Sequence, residues 1–238
     1  MFEQLALLSF GDGGWGLALL SGAGITLLLA ICCAPIGLPL GLLLASAERS
    51  RHRFVRTLVY GFSTVFRGLP ELLTLFIVYY GFQIGAQKLL ALNGWQGQVD
   101  ISPFVAAMVA LSLVLAAFSC EVWSAAFKVV GKGQYQAGMA LGMSRSRTFF
   151  SIILPQLLRV ALPGLSNNWL TLLKDTSLVS TISLVDLMRQ TGLAVSTTKE
   201  PVLFYSAACA IYLLFAAVSG RAFAWAERRY NRGYGRAG

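Results

Sequence analysis

QYQAGMALGMSRSRTFFSIILP, residues 134–155, is the one long basic and amphipathic insert in a sequence that otherwise consists of apolar runs. Of the 238 residues, 56% are hydrophobic and only 12% are charged, a balance that is too apolar for an ordinary soluble domain. The chain is therefore predicted to be an all-α integral membrane protein. The insert is predicted to lie at one face of the membrane.

Five apolar runs are long enough, or nearly so, to cross the hydrocarbon core, which takes about 20 helical residues. They cover approximately residues 15–47, 55–86, 103–129, 156–173 and 201–225. Pro35 and Pro39, with Gly37 and Gly41, are expected to kink the first span. The second span is interrupted by RGLPE, residues 67–71, where Gly and Pro are expected to break the helix.

The segments between the spans are predicted from their polar residues. Residues 87–101, which include Asn93-Gly94-Trp95, are expected to form an external loop. The segment from the fourth span to Glu200 contains Asp186 and Arg189, and it is expected to include short helices across the outer mouth. No second domain or internal repeat is evident, so residues 1–238 are interpreted as one transmembrane domain.

The net charge of +9 comes from three short basic blocks beside the apolar runs. One block follows the first span, one surrounds the insert and one forms the tail. Lys and Arg accumulate on the cytoplasmic side of membrane proteins. Five spans with the N-terminus outside and the C-terminus inside put all three blocks in the cytoplasm, so the charge indicates membrane orientation rather than nucleic-acid binding.

The sequence contains little that suggests catalysis on this chain. Its four cysteines lie in apolar runs without metal-ligand spacing, and its single histidine, His52, lies among arginines. The phosphate-binding pattern G-x-x-x-x-G-K-[ST] is missing. We therefore expect no catalytic residue, no metal site and no bound cofactor here.

The spacing inside the insert is more specific than its composition. Residues 136–138, Gly142, Ile152, Leu154 and Pro155 reproduce the pattern EAA-x3-G-x9-I-x-L-P, with Gln-Ala-Gly in place of Glu-Ala-Ala. This resembles the signature loop of the membrane subunits of bacterial ABC importers. The stretches RGLPELLTLFIVYYG, EVWSAAFKVVGKGQ and LPGLSNNWLTLLKDTSL resemble polar amino-acid permeases of the histidine, basic amino-acid and opine branch. The resemblance implies the type I importer permease fold.

In that family the loop docks into a cleft of the ATPase subunit, which implies a docking loop at about residues 132–155. Its small residues would permit close backbone approach, a glycine would permit a turn with positive φ, arginines would offer charge, and a proline would open the next helix. The expected docking residues are Gln136, Ala137, Gly138, Gly142, Arg145, Arg147, Leu154 and Pro155. Two departures stand out: Gln136 replaces the usual Glu, and Ser124-Ala125 replace a common Arg-Gly.

The resemblance also implies a complex in the bacterial cytoplasmic membrane. An ABC ATPase dimer would bind and hydrolyse ATP with Mg, a second permease chain, homologous or identical, would complete the pathway, and an external solute-binding protein would deliver a polar, cationic amino acid or opine. The alternative is a self-contained channel or an ion-coupled secondary transporter, which would need no ATPase.

Polar residues at membrane depth are the candidates for a solute pathway, because charges in hydrocarbon normally face protein or water. They are Glu71, Glu121, Asn167, Asn168, Lys174 and Asp175. One hypothesis is that Glu71 and Glu121 line a cavity at the subunit interface and attract the cationic group of an amino acid. The alternative is that Arg67 with Glu71, and Lys174 with Asp175, are structural ion pairs, while the asparagines hydrogen-bond between helices.

Overall fold

The computed structural model describes residues 6–11, 13–92 and 101–231, and these form a bundle of helices. A π-helical segment, Phe149–Ile153, precedes α7, and a 3-10 helix, Thr176–Ile182, follows it. The α-helices are α1 (Gly16–Glu48), α2 (Arg53–Gly68), α3 (Glu71–Leu92), α4 (Pro103–Val130), α5 (Gly133–Ala140), α6 (Arg145–Thr148), α7 (Leu154–Asp175), α8 (Leu187–Thr198) and α9 (Pro201–Asn231).

Among the described residues, five helical segments are long and apolar enough to cross a membrane, which confirms the predicted number. They are Gly16–Glu48, Glu71–Leu92, Pro103–Val130, Arg145–Ile182 and Pro201–Asn231. The expected break in the second predicted span is confirmed, because it separates α2 from α3. The predicted bounds were wrong in that only α3 is long and apolar enough to cross a membrane. Arginines on α2 lower its mean hydropathy, so its 16 residues are amphipathic rather than uniformly apolar.

The predicted loop at residues 87–101 also needs correction. Helix α3 continues to Leu92, because Leu89, Leu90 and Ala91 extend the apolar sequence beyond the polar Gln87-Lys88 pair. Asn93-Gly94-Trp95 lie outside the described residues. Short helices do occur before Glu200, as expected, in the form of the 3-10 helix and α8.

Helix α4 lies at the centre of the bundle, and its closest neighbour is α1. The glycines of α1 allow this proximity: a Cβ on Gly41 would lie 2.9 Å from the carbonyl oxygen of Ala116, and one on Gly37 would lie 2.7 Å from the Leu115 side chain. The indole Nε1 of Trp123 donates a hydrogen bond to the carbonyl oxygen of Leu38 at 3.2 Å. Backbone-to-backbone packing of this kind holds membrane helices together where the hydrophobic effect does not.

Three buried apolar clusters follow one another along α1. Leu19 belongs to the first, with α8 and α9; Leu29 belongs to the second, with α3, α4 and α7; and Ala45 belongs to the third, with α2, α4 and α7. The third cluster adjoins residues 132–155, so we call this the loop end of the bundle. The first cluster marks the opposite end.

A buried carboxylate, Asp186, anchors the opposite end. One of its oxygens caps α8 by accepting a hydrogen bond from the backbone N–H of Arg189 at 2.9 Å, and its Oδ2 is buried without a hydrogen-bond partner. The backbone N–H of Leu187 donates to Thr26 Oγ1 of α1 at 3.2 Å. Burial raises the pKa of Asp186 from 3.8 to about 6. The segment that contains it is thus fixed to α1 at the cost of a desolvated charge.

Replacement of Asp186 by asparagine is expected to stabilise the protein at pH 7.5. Asparagine keeps the helix cap and removes the charge. Because the folded-state pKa is raised, the wild-type protein loses stability as pH rises from about 4 to about 6, by about 2–3 kcal/mol in total. Thermal unfolding should show the variant melting roughly 5 °C higher at pH 7.5 and the difference shrinking towards pH 4.5. A difference that is constant with pH would contradict this assignment.

Candidate docking surface and solute pathway

The loop end contains a short helix, a turn and a second short helix. Helix α5 ends at Ala140, and Gly142 then adopts a φ of +75°, which confirms the expected positive-φ turn. The backbone N–H of Met143 donates to the carbonyl oxygen of Gly138 at 3.0 Å and closes that turn. Helix α6 begins directly afterwards, capped by Ser144 Oγ, which accepts from the backbone N–H of Arg147 at 3.3 Å.

The two short helices are held together by close packing at Gly138. This residue is buried, and a Cβ placed on it would lie 2.5 Å from Thr148 Cγ2 and 2.7 Å from Thr148 Oγ1. Thr148 is itself fixed, because its hydroxyl donates to the carbonyl oxygen of Ser144 at 2.9 Å. Only glycine permits this approach, so the shape of the loop depends on it.

Beside the loop lies a cavity of about 800 Å³ with cationic and aromatic walls. The described residues that line it include Arg49, Lys132 and Arg145, together with Tyr135 and two phenylalanines, and no carboxylate. The guanidinium of Arg49 lies 4.7 Å from the centre of the Phe127 ring. Burial raises the pKa of Tyr135, although Arg49 opposes the shift, so its hydroxyl remains neutral. This surface suits a partner with acidic and apolar groups.

The predicted docking residues contribute to this surface in different ways. Gln136 and Arg145 line the cavity, while Ala137 and Arg147 are exposed. Gly138 and Gly142 shape the loop, as described above. Leu154 and Pro155 form the first turn of α7, directly after the π-helical segment, as expected for a proline that opens a helix.

Sequence reasoning missed three apolar residues of the loop end. Leu141 is 79% exposed, Phe150 is 65% exposed and Met139 is 49% exposed. Large apolar side chains that protrude from a polar loop indicate a binding surface. The sequence signal that could have identified them is the occurrence of large apolar residues inside a basic insert.

Most of the predicted pathway residues meet between α4 and α7. Asn167, Asn168 and Asp175 line a cavity of about 110 Å³, whose other wall is formed by apolar side chains of α4. The amide Nδ2 of Asn168 donates to Ser119 Oγ at 3.4 Å. Asp175 interacts electrostatically with Glu71 and Lys174. Asn167, Asn168 and Asp175 thus share one cavity, whereas Glu71 acts on Asp175 from α3 and Lys174, the chain neighbour of Asp175, is exposed.

Glu121 does not join this group. Its carboxylate forms an ion pair with Arg67, and both line a different cavity of about 260 Å³ between α1, α2 and α4. Among the described residues of this single chain, Arg67 pairs with Glu121, so the alternative pair of Arg67 with Glu71 was wrong. A cavity at the subunit interface that Glu71 and Glu121 both line stays a hypothesis. Arg67 and Glu71 lie on opposite sides of the break at residues 69–70, so the geometry of consecutive helical turns does not bring them together.

Comparison with known proteins places these features in a family. Residues 37–232 match the family described as binding-protein-dependent transport system inner membrane component. The nopaline transport system permease protein NocQ of Agrobacterium fabrum is 39% identical over 231 residues, 97% of this chain and 98% of that protein. The histidine/lysine/arginine/ornithine transport system permease protein HisQ of Escherichia coli is 37% identical, over 94% of this chain and 98% of that protein.

The arginine ABC transporter permease protein ArtQ of Escherichia coli is 41% identical, over 84% of this chain and 90% of that protein. Among solved structures, an amino acid ABC transporter crystallised with histidines superposes with a TM-score of 0.76 at 27% identity, over 90% of this chain and 95% of that chain. The MetNI methionine ABC transporter superposes with a TM-score of 0.65 at 16% identity and shows the same fold. This chain is therefore a permease of the inner membrane, and it belongs to the family of binding-protein-dependent transport system inner membrane components.

Proposed function

We propose that this permease is the membrane-spanning subunit of an ATP-driven importer and that the ATPase docks on residues 132–155. The shape of the loop end is the observation that supports this most directly. Two short helices are fixed by Gly138 and Gly142 beside a cationic cavity of about 800 Å³. Exposed Leu141 and Phe150 would enter apolar pockets of the ATPase, and Arg145 would meet its carboxylates.

The complex would contain an ATPase dimer, a second permease chain and an external solute-binding protein. The ATPase would bind ATP and Mg²⁺, so this chain would need no cofactor of its own. The N-terminus would face outside and the C-terminus the cytoplasm, which puts the basic loop end on the ATPase side. Exposed apolar side chains on α1 and α9, such as Leu17, Leu28 and Leu213, would face lipid or the second permease.

The solute we propose is a polar, cationic amino acid or opine. Around the cavity between α4 and α7, two carboxylates (Asp175 and Glu71) accompany one ammonium group (Lys174), which leaves one negative charge. The name of HisQ, which refers to histidine, lysine, arginine and ornithine, agrees with this charge. The cavity of about 110 Å³ is smaller than the roughly 300 Å³ of a typical small-molecule site, so the second permease would supply another wall.

A continuous run of helix supports a coupling mechanism. Residues Arg145–Ile182 pass from the docking loop through the π-helical segment into α7 and its 3-10 extension. When ATP binding closes the ATPase dimer, the loop would move with it. Because Asn167, Asn168 and Asp175 lie on the same run, the motion would reach the solute cavity without an intermediate domain.

ATP hydrolysis by the reconstituted complex tests this proposal. The permease, its genomically neighbouring ATPase, second permease and binding protein would be assayed with basic amino acids, opines and neutral amino acids. We expect basic amino acids or opines to stimulate hydrolysis and neutral ones not to. If the complex hydrolyses ATP but none of these solutes changes the rate, the proposed solute class is wrong. If no ATPase assembles with the chain, the docking proposal is wrong and a self-contained channel or secondary transporter is favoured.

A further inference from the structure

The cavity that contains Arg67 and Glu121 is separate from the cavity between α4 and α7. It measures about 260 Å³ and lies between the loop-end halves of α1, α2 and α4. Four charged side chains line it: Glu48, Arg67, Glu121 and Lys128. Hydroxyl groups add hydrogen-bonding capacity, and the Ser124 hydroxyl donates to the Glu48 carboxylate. Two positive and two negative charges leave this cavity without net charge.

The ion pair in this cavity is open to the surroundings. The side chain of Arg67 is 38% exposed and that of Glu121 is 58% exposed. Glu121 belongs to a helix long and apolar enough to span the membrane, where a charge facing lipid costs about 2.5–3.5 kcal/mol. This face must therefore meet water or another protein rather than lipid. An accessible, charged cavity between these helices is the kind of place where a polar solute can travel.

The two cavities follow one another along α4. The first contacts Leu111 to Phe118, and the second contacts Cys120 to Lys128. With a rise of 1.5 Å per residue, their centres differ by roughly 13 Å along the helix axis. Phe118 of the first cavity and Glu121 of the second lie three residues apart, on neighbouring positions of one face of α4. A solute that leaves the first cavity towards the loop end would meet the second.

We propose that this second cavity is a transient binding site, on the loop-end side of the first, for the zwitterionic head group of the amino-acid solute. This inference rests on the function proposed above. Arg67 and Lys128 would bind the α-carboxylate, and Glu121 and Glu48 would bind the α-ammonium. Exchange of a protein ion pair for a zwitterion leaves no charge unpaired, so the Arg67–Glu121 pair can open at low cost. The first cavity would select the cationic side chain, and the second would receive the head group.

Variants that swap the positions of the Arg67 and Glu121 charges distinguish solute binding by this pair from a purely structural role. In the reconstituted complex, Arg67→Gln and Glu121→Gln should each reduce ATP-driven uptake of L-arginine at least about tenfold, because each leaves a charge without a partner. The double variant Arg67→Glu with Glu121→Arg should restore the thermal unfolding temperature but not uptake. Arg221→Gln, an exposed charge on α9 that donates to its own helix, is the matched control and should transport normally.

Two results would overturn the proposal. If the exchanged pair transports arginine as well as the wild-type protein, the ion pair is only a brace between helices. Should the double variant fail to assemble, Lys128→Gln, an exposed residue at the end of α4, decides the question. We expect Lys128→Gln to raise the arginine concentration for half-maximal uptake about fivefold, by analogy with other charge contacts to ligands. An unchanged value would contradict binding of the head group in the second cavity. Solute-stimulated ATP hydrolysis by the wild-type complex shows separately whether the importer function holds.

Discussion

Substitution of Gly138 by valine is expected to abolish solute-stimulated ATP hydrolysis by the assembled complex. The added side chain would meet Thr148 at 2.5 Å, and Thr148 cannot withdraw because its hydroxyl is bonded to the Ser144 carbonyl oxygen. Overpacking of this kind costs about 1–3 kcal/mol, which would weaken binding of the ATPase about tenfold or more. Co-purification of the ATPase with the permease and ATP hydrolysis with saturating solute are the measurements.

Two further variants make this prediction specific to the contact with Thr148. Gly133→Val, on the same helix α5, has no atom within 4 Å of the added Cβ and should behave as wild type. Gly138→Ala adds only the Cβ and should also be impaired, because that atom already lies 2.5 Å from Thr148 Cγ2. Thr148→Ala removes the atoms at 2.5 and 2.7 Å and leaves its own Cβ at 3.2 Å, so the double variant Gly138→Ala with Thr148→Ala should be partly rescued. Full stimulation in Gly138→Val, or a double variant no better than the single one, would show that the loop does not depend on this packing.

The second large effect is expected at Gly41, where α1 meets the backbone of α4. A Cβ there would lie 2.6 Å from Ser119 Cβ and 2.9 Å from the Ala116 carbonyl oxygen. Because backbone atoms cannot rotate away, Gly41→Leu should separate the two helices. We expect a loss of about 3 kcal/mol, seen as a fall of roughly 10 °C in the melting temperature of the detergent-solubilised protein.

Gly24→Leu is the matched control for this prediction. It lies on the same helix α1, and nothing lies within 4 Å of its added Cβ. The same residue type is therefore introduced on the same helix without a neighbouring backbone. Equal melting temperatures for the two variants would mean that the approach of α1 to α4 does not determine stability.

Residues with local or strongly periodic signals could be predicted from the sequence. The five spans followed from apolar length, and the break at residues 69–70 followed from Gly68 and Pro70. The turn at Gly142 followed from the spacing of the loop. The glycines of α1 were interpreted as a kink with the neighbouring prolines, whereas Gly37 and Gly41 provide the contact surface for α4. Which face of a helix meets a neighbour depends on the tertiary arrangement.

Long-range pairing could not be predicted in this way. Arg67 and Glu71 have the spacing of a helical ion pair, but the break between them removes the helical geometry and Arg67 reaches Glu121 instead. Asp186 was predicted to lie in an external polar segment, yet it is fully buried as a helix cap beside α1. The partner of Arg67 lies on a distant segment, and Asp186, although it caps its own helix, is buried by the distant helix α1. No local pattern identifies either of these long-range contacts.

ATP-driven uptake of radiolabelled L-arginine into proteoliposomes is the measurement that tests the importer account most directly. The liposomes would contain this permease with its partner permease, with or without the ATPase, and the binding protein would be added outside. The account predicts accumulation against a gradient only when both the ATPase and internal ATP are present. Equal uptake without the ATPase would contradict it, because a self-contained channel or secondary transporter has no use for the surface at residues 132–155.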